Sequence, residues 1–200
     1  MMTFDGLKDF DLVLASASPR RRQLLEDAGL TFTTAVAQYD EVWPDGLSGR
    51  EIAEHLAAAK ARAWNEPIRE RQIVITADTV VWCRDRLLGK PADSREAAHF
   101  LRLLSDCEHE VTTAICLRDS RRSHTFSVTT RVMFRMLQED EITYYVERFA
   151  PLDKAGAYGI QEWIGLRGIT RIEGSYYNVV GMPVSDLLTQ LVEFAGNKTD

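Results

Sequence analysis

Side chains that bind transition metals or form disulfides are scarce in this sequence. It has three cysteines, Cys83, Cys107 and Cys116, with no C-x-x-C pair, and four histidines with no H-x-x-x-H arrangement. An odd number of unpaired thiols favours a reducing compartment over a disulfide framework or a zinc site. The sequence therefore argues against a histidine-ligated metal.

Long apolar runs and an excess of positive charge are also missing. No run approaches the roughly 18 apolar residues of a membrane span, and residues 1–11 lack the basic stretch and apolar core of a signal peptide. The net charge of −6 opposes a protein that coats nucleic acid by neutralising phosphates. We therefore expect a cytoplasmic protein that binds neither membrane nor nucleic acid, and any phosphate site in it to be local.

Composition and element order predict a single α/β domain over residues 1–200. With 45% hydrophobic residues and no linker, the chain can bury a sizeable core. Strands and helices alternate at first and pair in hairpins later, which predicts a mixed sheet flanked by helices. The predicted strands cover residues 11–15, 31–36, 72–82, 109–117, 123–136, 169–172 and 176–180. The predicted helices start after Ser18, Ser48 and Asp93 and also cover residues 139–149 and 183–195.

Three consecutive arginines lie in the first turn of the first predicted helix. Because a helix N-terminus is already positive, each of Arg20, Arg21 and Arg22 costs roughly 0.3 to 1 kcal/mol there unless an anion is bound. The preceding strand ends at this junction, and ligands of α/β sheets bind at the carboxyl ends of strands. This pattern predicts a polyphosphate held by backbone N–H groups, Ser16 and Arg20 or Arg21.

The alternative is that the arginines are solvated and pair with acidic residues one turn later. Glu26 and Asp27 are placed for such pairs on the same helix. We favour this interpretation for Arg22 and the anion for the other two.

An aspartate also interrupts the apolar run ITADTVV. A buried, unpaired carboxylate is costly, so Asp78 is either a turn residue or a functional one. Other polar residues stand at comparable positions, namely Glu41 in a loop, Lys60 at the margin of a helix, Lys90 in a GKP turn, and Lys154 and Gln161 in a glycine loop. Lys60 could equally extend its amine to solvent. Together these residues supply the cations, carboxylates and base that hydrolysis of a phosphoanhydride requires.

Six segments, in order along nearly the whole chain, resemble the Maf family of nucleoside triphosphate pyrophosphatases. They are LASASPRR at 14–21, DE at 40–41, ADTVV at 77–81, GKP at 89–91, DKAGAYGIQ at 153–161 and GSYYNVVGMP at 174–183. The resemblance implies the fold of inosine triphosphate pyrophosphatases, with a deep cleft between two lobes, and often a homodimer. One departure is Asp106, which stands where a Leu-Ser-Gly turn is common, outside the expected site.

The same resemblance implies an activity and assigns roles. Family members cleave a nucleoside triphosphate between the α and β phosphates with a divalent metal such as Mg²⁺ or Mn²⁺. Asp78 would activate water or hold the metal together with Glu41. The phosphates would meet a set of polar side chains, Ser16, Arg20, Arg21, Lys60 and Lys90.

A final pair of residues concerns the base. One branch of the family, which acts on dTTP and UTP, carries a Thr directly after the catalytic Asp and a Gln later in the chain. Thr79 and Gln161 match these positions here, and the resemblance assigns Arg20 to base specificity together with them. A carboxamide can match the O4 acceptor and N3–H donor of uracil or thymine. Gln161 could instead tie the glycine loop to its own backbone. The alternative functions are a 7-methyl-GTP pyrophosphatase and a non-catalytic nucleotide-binding regulator of cell division.

Overall fold

The computed structural model describes residues 5–36, 39 and 41–196, and it shows a mixed sheet flanked by helices, as predicted. The strands are β1 Asp11–Ala15, β2 Thr33–Ala35, β3 Gln72–Cys83, β4 Arg86–Leu88, β5 Glu108–Arg118, β6 Ser123–Phe134 and β7 Ile169–Glu173. Their order in the sheet is β2-β1-β3-β5-β6-β7, with β4 paired to β3. The helices are α1 Pro19–Asp27, α2 Gly49–Arg62, α3 Ser94–Leu104, α4 Glu139–Phe149, α5 Trp163–Gly168, α6 Tyr176–Val180 and α7 Val184–Gly196, besides short 3-10 turns at Asp5–Leu7 and Ala155–Ala157. Within the described ranges, no helix is long and apolar enough to cross a membrane.

The predicted helix starts are confirmed by their side-chain caps. The Ser18 hydroxyl accepts a hydrogen bond from the Arg21 amide at 3.5 Å, and Asp93 accepts one from the Glu96 amide at 2.8 Å. Ser48 and Glu51 cap each other reciprocally at the start of α2. These caps satisfy N–H groups that a helix cannot satisfy itself.

The central strand β3 is fully paired on one edge only. Antiparallel β5 covers it from Val74 to Trp82. On the opposite edge β1 pairs with β3 only up to Ile75, and β4 pairs with it only from Val81 onward. Among the described residues, the stretch 76–80 therefore has no neighbouring strand on that edge, and we call it the open edge of β3.

Two hydrophobic cores meet at this stretch on one face of the sheet. Ile73, Ile75 and Ala77 pack in a core with α1 and α7, whereas Val81 and Cys83 pack in another with α3, α4 and α5. Thr79 lies between the two cores on the same face, because side chains alternate along a strand. Asp78 points to the other face, which α2 covers. The predicted polar interruption thus marks the border of two cores inside a continuous strand, and the turn interpretation of Asp78 is wrong.

The strand predicted over residues 176–180 is instead the short helix α6. Ser175 caps it by accepting from the Asn178 amide at 3.2 Å, and Gly181 ends it with φ of 122°. The β-branched residues suggested a strand, but the caps on both sides favour one helical turn. The helix α5 was not predicted. The predicted strand over 31–36 is shorter, at Thr33–Ala35.

Candidate active site at the open edge of the central strand

A cavity of about 450 Å³ lies against the open edge of β3. Side chains from both faces of the strand reach it, because no neighbouring strand separates them there. Its walls include every residue that the sequence analysis assigned to the site: Ser16, Arg20, Arg21, Glu41, Lys60, Asp78, Thr79, Lys90 and Gln161. Asp40, part of the DE segment, lies outside the described residues.

Lys60 and Asp78 form a largely buried ion pair in the wall of the cavity. The amine of Lys60 contacts Asp78 Oδ1 and donates to the carbonyl of Ala77 at 3.2 Å, and the side chains are 14% and 12% exposed. Burial lowers the pKa of Lys60, against the attraction of Asp78. The amine also lies 4.9 Å from the centre of the Tyr39 ring. Lys60 therefore faces the cavity, and its extension into solvent is not observed.

Arg21 is partly buried and holds three parts of the site together. It donates to the Gly181 carbonyl at 3.0 Å, the Ala77 carbonyl at 2.8 Å, Thr79 Oγ1 at 3.0 Å and Ser16 Oγ at 3.4 Å. Burial lowers its pKa, and the attraction of Asp78 opposes that shift. Four of its five N–H groups are thus used within the protein. Arg21 and Lys60 both donate to the Ala77 carbonyl. In a strand that is paired on both edges, this carbonyl would instead accept from the backbone of a neighbouring strand.

Arg20 reaches the opposite wall, where the glycine loop 153–161 lies. Its guanidinium is paired with Asp153 at 2.6 Å, and Lys154 contacts the same carboxylate at 2.7 Å. Partial burial works to raise the pKa of Asp153, but the hydrogen bonds from Lys154 and Arg20 prevail and bring that pKa to about 2. Lys154 also pairs with Glu162 at 3.2 Å. Lys154 therefore anchors the loop, whereas Arg20 keeps most of its donors for a ligand.

The remaining polar groups stand at the mouth of the cavity. Glu41 accepts from the Tyr39 hydroxyl at 3.0 Å and lies 3.8 Å from the amine of Lys90. Both side chains are at least half exposed. Arg22 points away and pairs with Glu26 at 2.8 Å, which confirms the solvated interpretation of that arginine.

The carboxamide of Gln161 makes no hydrogen bond to any described residue, although it lines the cavity. A bond to its own loop, the alternative interpretation, is not present among those residues. The loop approaches β3 closely because Gly156 adopts φ of 68° and a Cβ there would lie 3.0 Å from Val81. Gln161 is thus presented on a fixed loop with its polar atoms free for a ligand.

Comparison with known proteins identifies the family. A family profile described as Maf-like protein matches residues 11–194. The chain belongs to the Maf family. A Parabacteroides distasonis relative named dTTP/UTP pyrophosphatase is 44% identical over 191 residues, covering 95% of this chain and 99% of the relative. A Bacteroides fragilis relative of the same name is 43% identical over 187 residues, covering 93% and 97%. The solved Staphylococcus aureus Ham1 protein covers 62% of this chain and 71% of its own at 15% identity, with a TM-score of 0.42.

The donor set of this Maf site suits a hard divalent cation that arrives with a phosphate. Three carboxylates line the same cavity, of which Asp153 is held by Arg20 and Lys154 in the glycine loop. The other two are Asp78 and Glu41. The described residues include no group of three or more His, Cys, Asp and Glu side chains that could hold a metal alone. Mg²⁺ is typically bound by one or two carboxylates that share it with substrate phosphates and water. The two carboxylates fit that pattern.

The Maf segment 174–183 contributes residues that the sequence analysis did not single out. Asn178 is fully buried, and its side chain accepts from the Thr113 amide at 3.1 Å and donates to the Val111 carbonyl at 2.9 Å. An asparagine within the apolar run YYNVV was the available signal, since a buried amide needs partners. Gly181 supplies the carbonyl that fixes Arg21.

Proposed function

We propose that this protein hydrolyses dTTP and UTP to the monophosphate and pyrophosphate, with Mg²⁺ or Mn²⁺. The observation that supports this proposal most directly is the cavity at the open edge of β3. The largely buried pair of Asp78 and Lys60 lines it together with more exposed cations. Membership of the Maf family and relatives named for this activity support the proposal. We further propose that the chain acts as one domain on free nucleotides, since its net charge of −6 disfavours nucleic acid.

The phosphates occupy the end of the cavity formed by the start of α1 and the GKP turn. Arg20 and Lys90 are the cations with donors free to meet phosphate oxygens, and Ser16 adds a hydroxyl. Arg21 orients this end, because most of its donors bind protein groups. The positive charges that are unfavourable at a helix N-terminus are then offset by the triphosphate.

Asp78 is placed to accept a proton from the attacking water or to hold the cation. Lys60 holds the carboxylate in one orientation through their contact. A bound divalent cation would be held by Asp78 and Glu41, and it would neutralise phosphate charge and make water more acidic.

The base occupies the opposite, more apolar end. Four cavity-lining side chains come from one hydrophobic core, namely Val81, Val111, Tyr158 and Val179, and Gln161 lines the same cavity. The carboxamide of Gln161 offers N–H donors, which suit the O4 acceptor of uracil and thymine.

The test is pyrophosphate release from a panel of nucleotides with either metal. UTP and dTTP are expected to react much faster than CTP, ATP, GTP and 7-methyl-GTP. Asp78→Asn should fold normally yet lose roughly 100-fold to 10,000-fold in turnover, as expected for loss of a general base. If the residual rate of Asp78→Asn depends on metal concentration with the same midpoint as the rate of the unaltered protein, Asp78 acts as the base rather than as a metal ligand. Near-normal release by Asp78→Asn, or comparable rates on UTP and 7-methyl-GTP, would contradict the proposal.

A further inference from the structure

A chain of hydroxyl groups leads from the cavity into the protein behind Thr79. Arg21 Nη2 lies 3.0 Å from Thr79 Oγ1, which lies 2.9 Å from Thr113 Oγ1, which in turn lies 2.9 Å from the backbone carbonyl of Asn178. Thr79 and Thr113 face each other directly in the register of β3 and β5. Thr113 is fully buried, whereas Thr79 is partly exposed to the cavity.

The direction of every hydrogen bond in this chain follows from its two ends. A carbonyl can only accept, so the single hydroxyl hydrogen of Thr113 is donated to Asn178. Thr113 Oγ1 must then accept from Thr79, which uses the only hydrogen of Thr79. A guanidinium can only donate, so Arg21 occupies one lone pair of Thr79. One lone pair of Thr79 is left, and Thr79 can only accept from a ligand.

The far end of the chain is held rigidly. The Asn178 side chain donates to the Val111 carbonyl and to Thr130 Oγ1, each at 2.9 Å, and accepts from the Thr113 amide at 3.1 Å. These bonds fix α6 on β5 and hence the carbonyl that Thr113 meets. A hydroxyl that would otherwise rotate between donor and acceptor roles is thereby restricted to one.

We propose that Thr113 and the Asn178 carbonyl are positioning groups for base selection, a proposal that rests on the proposed function. They orient Thr79 as an acceptor for the imide N3–H of uracil or thymine. Cytosine presents a lone pair at the same ring position, so it would face the remaining lone pair of Thr79. Sites that hydrogen-bond one edge of a ligand reject analogues that leave their polar groups unpaired.

The experiment compares kcat/KM for UTP and CTP in the unaltered protein and three variants. Thr113→Val removes the hydroxyl, releases the Thr79 hydrogen toward the cavity and should lower the UTP-to-CTP ratio by about tenfold or more. Thr113→Ser keeps the hydroxyl and should restore the ratio. Thr112→Val is the matched control, because Thr112 is a neighbouring buried threonine whose hydroxyl bonds Thr129 at 2.8 Å outside the cavity.

Each outcome bears on a distinct claim. Absence of pyrophosphate release from every nucleotide by the unaltered protein would refute the proposed function. An active Thr113→Val protein with an unchanged ratio, or with equal losses on UTP and CTP, would overturn the inference alone. If Thr113→Val does not fold, N3-methyl-UTP tests the unaltered protein, which should use it at least about tenfold less efficiently than UTP. Equal efficiency on the two nucleotides would overturn the inference.

Discussion

Acid should destabilise this protein through one buried histidine. His109 is 2% exposed, its Nε2 lies 2.7 Å from the Tyr158 hydroxyl, and its ring stacks on Phe134 at 5.7 Å between centroids. Burial lowers the pKa of His109 to about 4, and an interaction with the Cys107 backbone opposes the shift only in part. The neutral ring is therefore favoured in the folded state.

The sign and size of the effect follow from linkage. In the unfolded chain histidine titrates near 6.5, so the stability that depends on the neutral ring is complete above that pH and is lost as the pH falls toward 4. Between pH 7 and pH 5 the histidine binds a proton in the unfolded state but not in the folded state. This difference lowers the free energy of unfolding by about 2 kcal/mol. Asp153 and Glu141 have folded-state pKa values of about 2, so their losses come at lower pH.

The measurement is urea unfolding at pH 7 and pH 5, followed by tryptophan fluorescence. His109→Gln should be less stable at pH 7 but should lose about 2 kcal/mol less than the unaltered protein on going to pH 5. His99→Gln is the control, because His99 is exposed on α3. Equal losses in the unaltered and His109→Gln proteins would refute the reasoning.

Three further substitutions test the site and one turn. Arg20→Ala should reduce kcat/KM for UTP by roughly tenfold to a hundredfold, since a charge-assisted contact is lost. The melting temperature should fall little, because the pair with Asp153 is partly exposed and Lys154 still contacts that carboxylate. A large loss of stability with unchanged turnover would show a structural role. Gln161→Glu should depress kcat/KM for UTP and dTTP more than it weakens binding of pyrophosphate, measured by product inhibition, and an unaltered base preference would contradict the assignment. Asp106→Gly should raise the free energy of unfolding by about 0.5 to 1 kcal/mol in urea titrations, because Asp106 has φ of 51°; an unchanged midpoint would show that the aspartate is not strained.

The sequence predicted the elements whose signals are local. Side chains of Ser18, Ser48 and Asp93 cap helices where expected, since a cap depends on residues three positions apart. The segment 176–180 was misjudged because its β-branched residues favour a strand, whereas Ser175 and Gly181 enforce a helical turn.

The residues that line the cavity were also predicted from the sequence. Which of them bind protein groups and which have donors free for a ligand was not predicted. Arg21 was expected, like Arg20, to bind phosphate, yet Arg21 donates most of its N–H groups to Gly181, Ala77 and Thr79. Those partners lie 56 to 160 residues away in sequence. Local patterns contain no information about such distant pairing, so only the folded structure separates the two arginines.

The open edge of β3 explains why two adjacent residues of one strand can line the same cavity. Successive side chains on a strand point to opposite faces of the sheet. If another strand were paired with β3 at this edge, it would separate Asp78 on one face from Thr79 on the other. Because β1 pairs with β3 only up to Ile75 and β4 only from Val81 onward, the cavity reaches both side chains at this edge. A shift of β3 by one residue against β5 would exchange the two faces. The continuous pairing of β3 with β5 from Val74 to Trp82 therefore fixes which of the two residues meets Lys60 and which meets Arg21.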